Sequence, residues 1–215
     1  MNYLLSLPIW GYLIYRLPGF IIGLTCHEYA HGWMANYLGD STARYNGRLT
    51  LNPVAHLDPI GLLMLFFAGF GWAKPVPVNP YNLQVNIKQG MLLVALAGPA
   101  TNLFIALAAT LILGVFGGLG FTYFNLIMQG TIHINIILAI FNLIPIPPLD
   151  GSRILAGLLP GENAWLDSLE QYGFIILIVL VFTGALRYIF TYLIDPVVES
   201  FFGLANTIIT MLQLW

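Results

Sequence analysis

The residues best suited to chemistry form one short run, His27-Glu28-Tyr29-Ala30-His31. On a helix, positions i and i+4 share a face, so His27 and His31 can offer two imidazole nitrogens to one metal ion. Glu28 is rotated from His27 by about 100°, close enough to reach a metal-bound water without being a ligand. Zinc suits this ligand set, and a zinc-bound water beside a carboxylate base is a hydrolytic device. The plainer alternative is a pair of helix histidines hydrogen-bonded in a core. The apolar run Phe20-Ile21-Ile22-Gly23-Leu24 just before the motif weighs against it, because ionisable groups inside apolar spans are costly and rarely idle. Two histidines are still incomplete, since a catalytic zinc usually takes three protein ligands and a water.

A third ligand must come from elsewhere. Pro145, Pro147 and Pro148 break any helix leading to Leu149-Asp150-Gly151. Irregular backbone at membrane depth is tolerated where protein shields it or it lines a wet cavity. A proline-stiffened segment presenting a carboxylate makes Asp150 the candidate third ligand. The alternative is an ordinary turn in which Asp150 caps the next segment. Other polar residues read as structural. Asn102 needs a hydrogen-bond partner inside a bundle, and a packing role is favoured. His133 also reads as structural, and His56 and Asp58 as loop hydrogen bonding or capping. The lone cysteine, Cys26, excludes an internal disulfide. It would point away from the histidine face and reads as packing.

The elements that position these residues must work in lipid. Of 215 residues, 59% are hydrophobic and 7% charged, and the mean hydropathy is +0.84. Soluble domains carry about 25% charged residues. The expectation is an all-α polytopic membrane protein, one domain over residues 1–215, with about five to six transmembrane helices. No basic tract suggests nucleic acid. The start has no cationic segment followed by a small-residue cleavage site, so no removable signal peptide is expected.

Residues 1–16 are apolar but short for a span. Pro18 either opens a helix or kinks a longer one, and residues 18–38 are long enough to cross a bilayer before Gly39-Asp40-Ser41 ends them. Residues 41–55 carry an Asn46-Gly47 turn signal and alternation around Leu49-Thr50-Leu51, which predicts a small β element, strand or hairpin, at the surface. Residues 60–72 are apolar but too short to span comfortably. Cations on both flanks (Arg44 and Arg48 before, Lys74 and Lys88 after) suggest a re-entrant or interfacial loop between the first and second core helices. Lys74–Pro80 reads as extended. Spans are expected at 91–116, 123–144 and 172–194, with a mixed loop at 154–170 and a break at Asp195-Pro196. The tail, 197–215, is a short final span or an interfacial amphipathic helix.

The pair H-E-x-x-H, His27 to His31, and N-x-x-P-x-P-P-L-D-G, Asn142 to Gly151, resembles the site-2 protease family of intramembrane zinc metalloproteases. Asn52–Pro59, Gly71–Pro80 and Gly98–Asn102 resemble segments of its compact bacterial members. The resemblance covers about Pro18 to Arg153. It implies that His27, His31 and Asp150 bind one zinc ion, that Glu28 is the general base, and that Asn142 holds the scissile carbonyl or developing oxyanion. It also implies transmembrane or membrane-associated peptide substrates, and a site in the cell membrane towards the cytosolic side. No stretch suits a PDZ or CBS domain. Two rival readings remain at this point: a metal-ion transporter using the same His/Asp site, and a catalytically inactive membrane scaffold. Transport would call for further charged residues at membrane depth and leaves Glu28 without a role.

Overall fold

A computed structural model describes residues 9–68, 72–161, 169 and 171–213. The expectations for residues 1–8, for Gly71 and for Glu162, Asp167 and Glu170 fall outside the described residues.

The architecture is helical. The first helix, α1 (Ile9–Tyr37), runs continuously through Pro18. It is therefore the longer helix of the two alternatives at that proline. After α2 (Thr42–Tyr45) and a single 3-10 turn comes α3 (Pro59–Ala68). Ten residues of α3 span only about 15 Å, too little for a crossing. An extended segment from Lys74 leads to α4 (Ile87–Phe116). Next come α5 (Thr122–Asn142) and α6 (Asp150–Leu158). The chain ends with α7 (Gly173–Phe182), α8 (Ala185–Ile189) and α9 (Asp195–Gln213), the last two joined by a π turn over Phe190–Ile194.

Among the described residues, three helical stretches are long and apolar enough to cross a membrane: Ile87–Leu119, Thr122–Asn142 and Ala185–Gln213. Helix α1 has a span's length but carries Arg16, His27, Glu28 and His31, and lies outside this set. The outer face of α4 exposes Phe104, Leu107, Leu111, Ile112 and Val115. An apolar patch of that extent needs a non-aqueous neighbour.

Several expectations change. No strand forms at 41–55 among the described residues; the one β feature is an isolated antiparallel bridge between Leu57 and Ala73. The reason is local. Asp40 accepts hydrogen bonds from the backbone N–H and the hydroxyl of Thr42, which starts a helical turn. The Asn46-Gly47 pair then ends that turn, with Gly47 at φ +66°, instead of closing a hairpin. The expected loop at 154–170 begins as helix, because α6 already covers Asp150–Leu158 with Asp150 favourably placed in its first turn. The span expected at 172–194 is interrupted at Gly184, which takes φ +74°. The break expected at Pro196 is absorbed by the π turn just before it, and the helix continues to Gln213.

Small residues set the packing that carries the site. Gly19 of α1 lies so close to α5 that an added Cβ would sit 2.5 Å from Thr131 Cα. One turn on, a Cβ at Gly23 would sit 2.4 Å from Asn135 Oδ1. This glycine pair lets the two helices approach closely. A second core joins α4, α5 and α9 through Ala106, Ala109, Ile132, Ile136, Ile194 and Val198.

Candidate metal centre

Three elements supply the site. Helix α1 brings His27 and His31 to one face, as their spacing predicts. The Pro145–Pro148 segment turns the chain after α5 and starts α6 at Asp150. Gly151 is required at the turn, since an added Cβ would lie 2.3 Å from the Leu143 carbonyl oxygen. At the far end of α6, Lys88 Nζ donates to the carbonyls of Leu159 and Gly161, tying that end to the start of α4.

The three candidate ligands meet. His27 Nε2 lies 3.0 Å from His31 Nε2. Asp150 Oδ2 lies 3.1 Å from His27 Nε2 and 3.3 Å from His31 Nε2. A tetrahedral centre with bonds near 2.0–2.1 Å separates its ligand atoms by about 3.3–3.4 Å. The observed triangle is slightly smaller than that and of the right shape.

Hydrogen bonds at the other imidazole nitrogens identify the form of each ring. His31 Nδ1 lies 2.7 Å from the Val94 carbonyl oxygen, which only accepts, so that nitrogen carries the proton. His27 Nδ1 lies 2.6 Å from Asn102 Oδ1, and it too carries the proton. In the neutral form that binds a metal, both Nε2 atoms then turn a lone pair towards Asp150 Oδ2, a buried oxygen with no hydrogen-bond donor of its own. Three electron pairs facing one point repel each other unless a cation lies between them. The residues present fit a divalent metal.

Glu28 stands beside this group. Its Oε2 accepts a hydrogen bond from the Val76 N–H at 2.8 Å, which fixes it against the extended Lys74–Asn79 segment. That segment is held at both ends. Lys74 N–H donates to the His56 carbonyl, and Asn79 N–H donates to Asp40 Oδ2 at 2.7 Å. Asp40 is wholly buried and also accepts from Thr42 and from the Asn82 amide. Burial pushes its carboxyl up, but these hydrogen bonds outweigh it and hold the group below the usual carboxylate range.

Asn142 is placed differently from the three ligands. It ends α5, and its side-chain N–H donates to the Leu138 carbonyl on its own helix at 2.9 Å, not into the triad. Asp58 caps α3 through the N–H groups of Ile60 and Gly61, as read from the sequence. His56 makes a loop hydrogen bond to the Thr50 carbonyl, although it is fully buried. His133 pairs with Arg16 at 3.4 Å, away from the triad.

Four residues contribute to the site in ways the sequence did not assign: Asp40, Val76, Val94 and Gly98, the last legible only as a residue that allows close helix approach. The first ties down the Glu28 segment, the next two act through backbone atoms, and Gly98 acts by having no side chain. Only the last left a usable signal: Gly98 and Asn102 sit one helical turn apart, so they face the same neighbour. An added Cβ at Gly98 would lie 2.5 Å from His31 Nε2 and 2.6 Å from His27 Cε1.

The sequence pattern of peptidase family M50 matches residues 120–184, which include Asn142 and Asp150. A protein of Bacillus subtilis strain 168 named "Putative zinc metalloprotease YwhC" is 40% identical over 191 residues, covering 85% of each chain. The chain belongs to peptidase family M50. M50 membership carries the site-2 protease resemblance of the motifs, and it makes the protein a membrane-embedded zinc metalloprotease. A second relative, "Putative zinc metalloprotease Rip2" of Mycolicibacterium smegmatis, is 31% identical over 183 residues, covering 82% of this chain and 70% of that one. A third, "Putative zinc metalloprotease MJ0611" of Methanocaldococcus jannaschii, is 27% identical over 158 residues, covering 71% of this chain and 76% of that one. No solved structure gives a significant match.

Proposed function

We propose that this protein hydrolyses peptide bonds within or near transmembrane segments of membrane-protein substrates, in regulated intramembrane proteolysis or in clearing membrane-embedded peptides. His27, His31 and Asp150 hold the zinc, Glu28 is the general base, and Asn142 steadies the oxyanion. The observation that carries this reading is the convergence of two Nε2 lone pairs and Asp150 Oδ2 on one point beside Glu28.

Zinc at that point supplies Lewis acidity and a water acidic enough to be deprotonated near neutral pH. Glu28 takes the proton from the attacking water at a carboxylate oxygen and returns it to the leaving amine. The Val76 N–H keeps Glu28 pointed at the site during both transfers. The Asn142 amide donates to the oxyanion after turning from Leu138, a rotation that substrate binding must induce. A substrate helix hides its carbonyls in its own hydrogen bonds and must unwind first. The extended Lys74–Asn79 segment passes beside Glu28 and offers backbone against which an unwound strand can pair.

The charge placement supports a cytosolic-side site in a prokaryotic cell membrane. Arg44, Arg48 and Lys74 lie between α1 and α4, after the end of α1 that carries His31, and Lys88 lies in the first turn of α4. In this reading α1 crosses the membrane with the three apolar helices, which makes four crossings among the described residues.

The test is Glu28→Gln in purified protein, assayed on a transmembrane peptide in liposomes. The variant should retain one zinc per chain and lose cleavage. Persistent metal-dependent cleavage would remove Glu28 from its role.

A further inference from the structure

Behind His27 lies a buried polar chain that the hydrolytic scheme does not use. Asn102 of α4 and Asn135 of α5 are both wholly buried. Asn135 Nδ2 donates to the carbonyls of Gly19 and Thr131, at 3.1 and 2.9 Å. Asn135 Oδ1 accepts from Asn102 Nδ2 at 2.9 Å, and the second Asn102 proton goes to the Gly23 carbonyl at 3.0 Å. Asn102 Oδ1 is left to face His27 Nδ1 at 2.6 Å.

The direction of every bond in this chain is forced. Backbone carbonyls only accept, so each amide must turn its NH2 towards them. Flipping Asn135 would set its oxygen against two carbonyl oxygens. Flipping Asn102 would set its oxygen against both the Gly23 carbonyl oxygen and Asn135 Oδ1. With both amides fixed, the oxygen beside His27 can only accept, and His27 must donate from Nδ1. In the neutral ring its Nε2 is then the lone pair.

We infer that Asn102 and Asn135 are positioning residues that lock His27 in the zinc-binding tautomer, with the polarity set by three backbone carbonyls on α1 and α5. This inference rests on His27 being a zinc ligand. Asn102 acts directly on the ring, and Asn135 acts through Asn102. A buried amide pair serving only helix packing would need the same burial but no particular direction at its His27 end. The close approach of α1 and α5 at Gly19 and Gly23 belongs to the same device, since it brings the anchoring carbonyls within reach.

The experiment uses the full chain in detergent, with zinc removed and histidines labelled with 15N. The imidazole shifts report the His27 tautomer in the metal-free protein, with His27→Gln used for assignment. Zinc affinity is then read by competition with a chromophoric chelator. The metal-free protein should show His27 protonated at Nδ1. Asn102→Ala should bind zinc about 10- to 100-fold more weakly, the usual effect of removing a partner behind a ligating histidine. Asn135→Ser should shift His27 towards a mixture of tautomers with a smaller loss of affinity, and it guards against misfolding of the first variant. Thr110→Val is the control for burial, because Thr110 is equally buried on α4 and bonds only the Ala106 carbonyl of its own helix. It should leave both readouts unchanged. If the protein binds zinc but both asparagine variants match it in affinity and tautomer, the inference fails and the zinc site stands. If His27→Gln leaves zinc affinity unchanged, the ligand assignment itself fails.

Discussion

Gly98→Ala is the sharpest perturbation available, because it adds one methyl group at the back of the metal centre. The new Cβ would lie 2.5 Å from His31 Nε2 and 2.6 Å from both His31 Cε1 and His27 Cε1. To restore an ordinary contact of about 3.4 Å, the rings must retreat by about 0.9 Å. Neither ring is free to do so. His27 is held at Nδ1 by Asn102 and His31 by the Val94 carbonyl. Retreat therefore breaks these hydrogen bonds or moves the helix backbone. Zinc sites tolerate errors of only about 0.2 Å in ligand distance, and a misplacement near 1 Å typically costs about 100-fold in rate. The variant should lose about 100-fold in cleavage and a similar factor in zinc affinity. Overpacking should also cost about 1–3 kcal/mol in stability. Thermal unfolding of the metal-free protein measures the last effect, chelator competition the second, and peptide cleavage the first. Gly203→Ala in α9 is the reference, since its added Cβ meets nothing within 4 Å. That change should be neutral or slightly stabilising. Wild-type zinc affinity in Gly98→Ala would refute the packing argument.

Three further outcomes follow from named contacts. Val76→Pro removes the N–H that holds Glu28 and should slow cleavage about 10- to 100-fold, the value of one hydrogen bond to a charged group, without changing zinc stoichiometry. Asp40→Asn should destabilise the protein by about 1–3 kcal/mol at pH 7, because buried donors lose their carboxylate. The folded-state pKa of Asp40 is depressed, so its stabilisation is present above the unfolded-state value and is lost as pH falls through the folded one. The gap in unfolding temperature between wild type and Asp40→Asn should therefore narrow on acidification from pH 5 downwards, and a constant gap would contradict the assignment. Stripping zinc with a chelator should lower the unfolding temperature of the wild type but not of His31→Ala, since a ligand that binds only the folded state stabilises it by mass action.

Much of the site was legible because its chemistry is concentrated in side chains at fixed spacing. His27, Glu28 and His31 announce themselves by helical geometry, and Asp150 by the prolines before it. The helices at 87–116 and 122–142 were legible from length and apolarity. What stayed hidden depends on contacts distant in sequence. Asn102 looked like a packing residue, and it does bond into the bundle, but its carbonyl oxygen also faces His27. Val76 and Val94 contribute backbone atoms, which no side-chain pattern reveals. Asn46-Gly47 misled because an Asn-Gly pair suits the end of a helical turn as well as a hairpin, and Asp40 had already started that turn. At Pro196 the local rule for a helix break was outweighed by packing, for Ile194 and Val198 on either side are buried in the α4–α5–α9 core. Asn142 shows the opposite limit. Its motif position suggests the oxyanion, while its amide rests on Leu138 until something better is offered.

The central claim is that two imidazoles and one carboxylate share a single zinc. X-ray absorption at the zinc edge of the purified protein, compared with Asp150→Ala, tests it most directly. Wild type should give one zinc per chain with nitrogen and oxygen neighbours at about 2.0–2.1 Å and imidazole scattering, and Asp150→Ala should lose the metal or one of its oxygen neighbours. A sulfur neighbour at about 2.3 Å, or an unaltered spectrum in Asp150→Ala, would contradict the account.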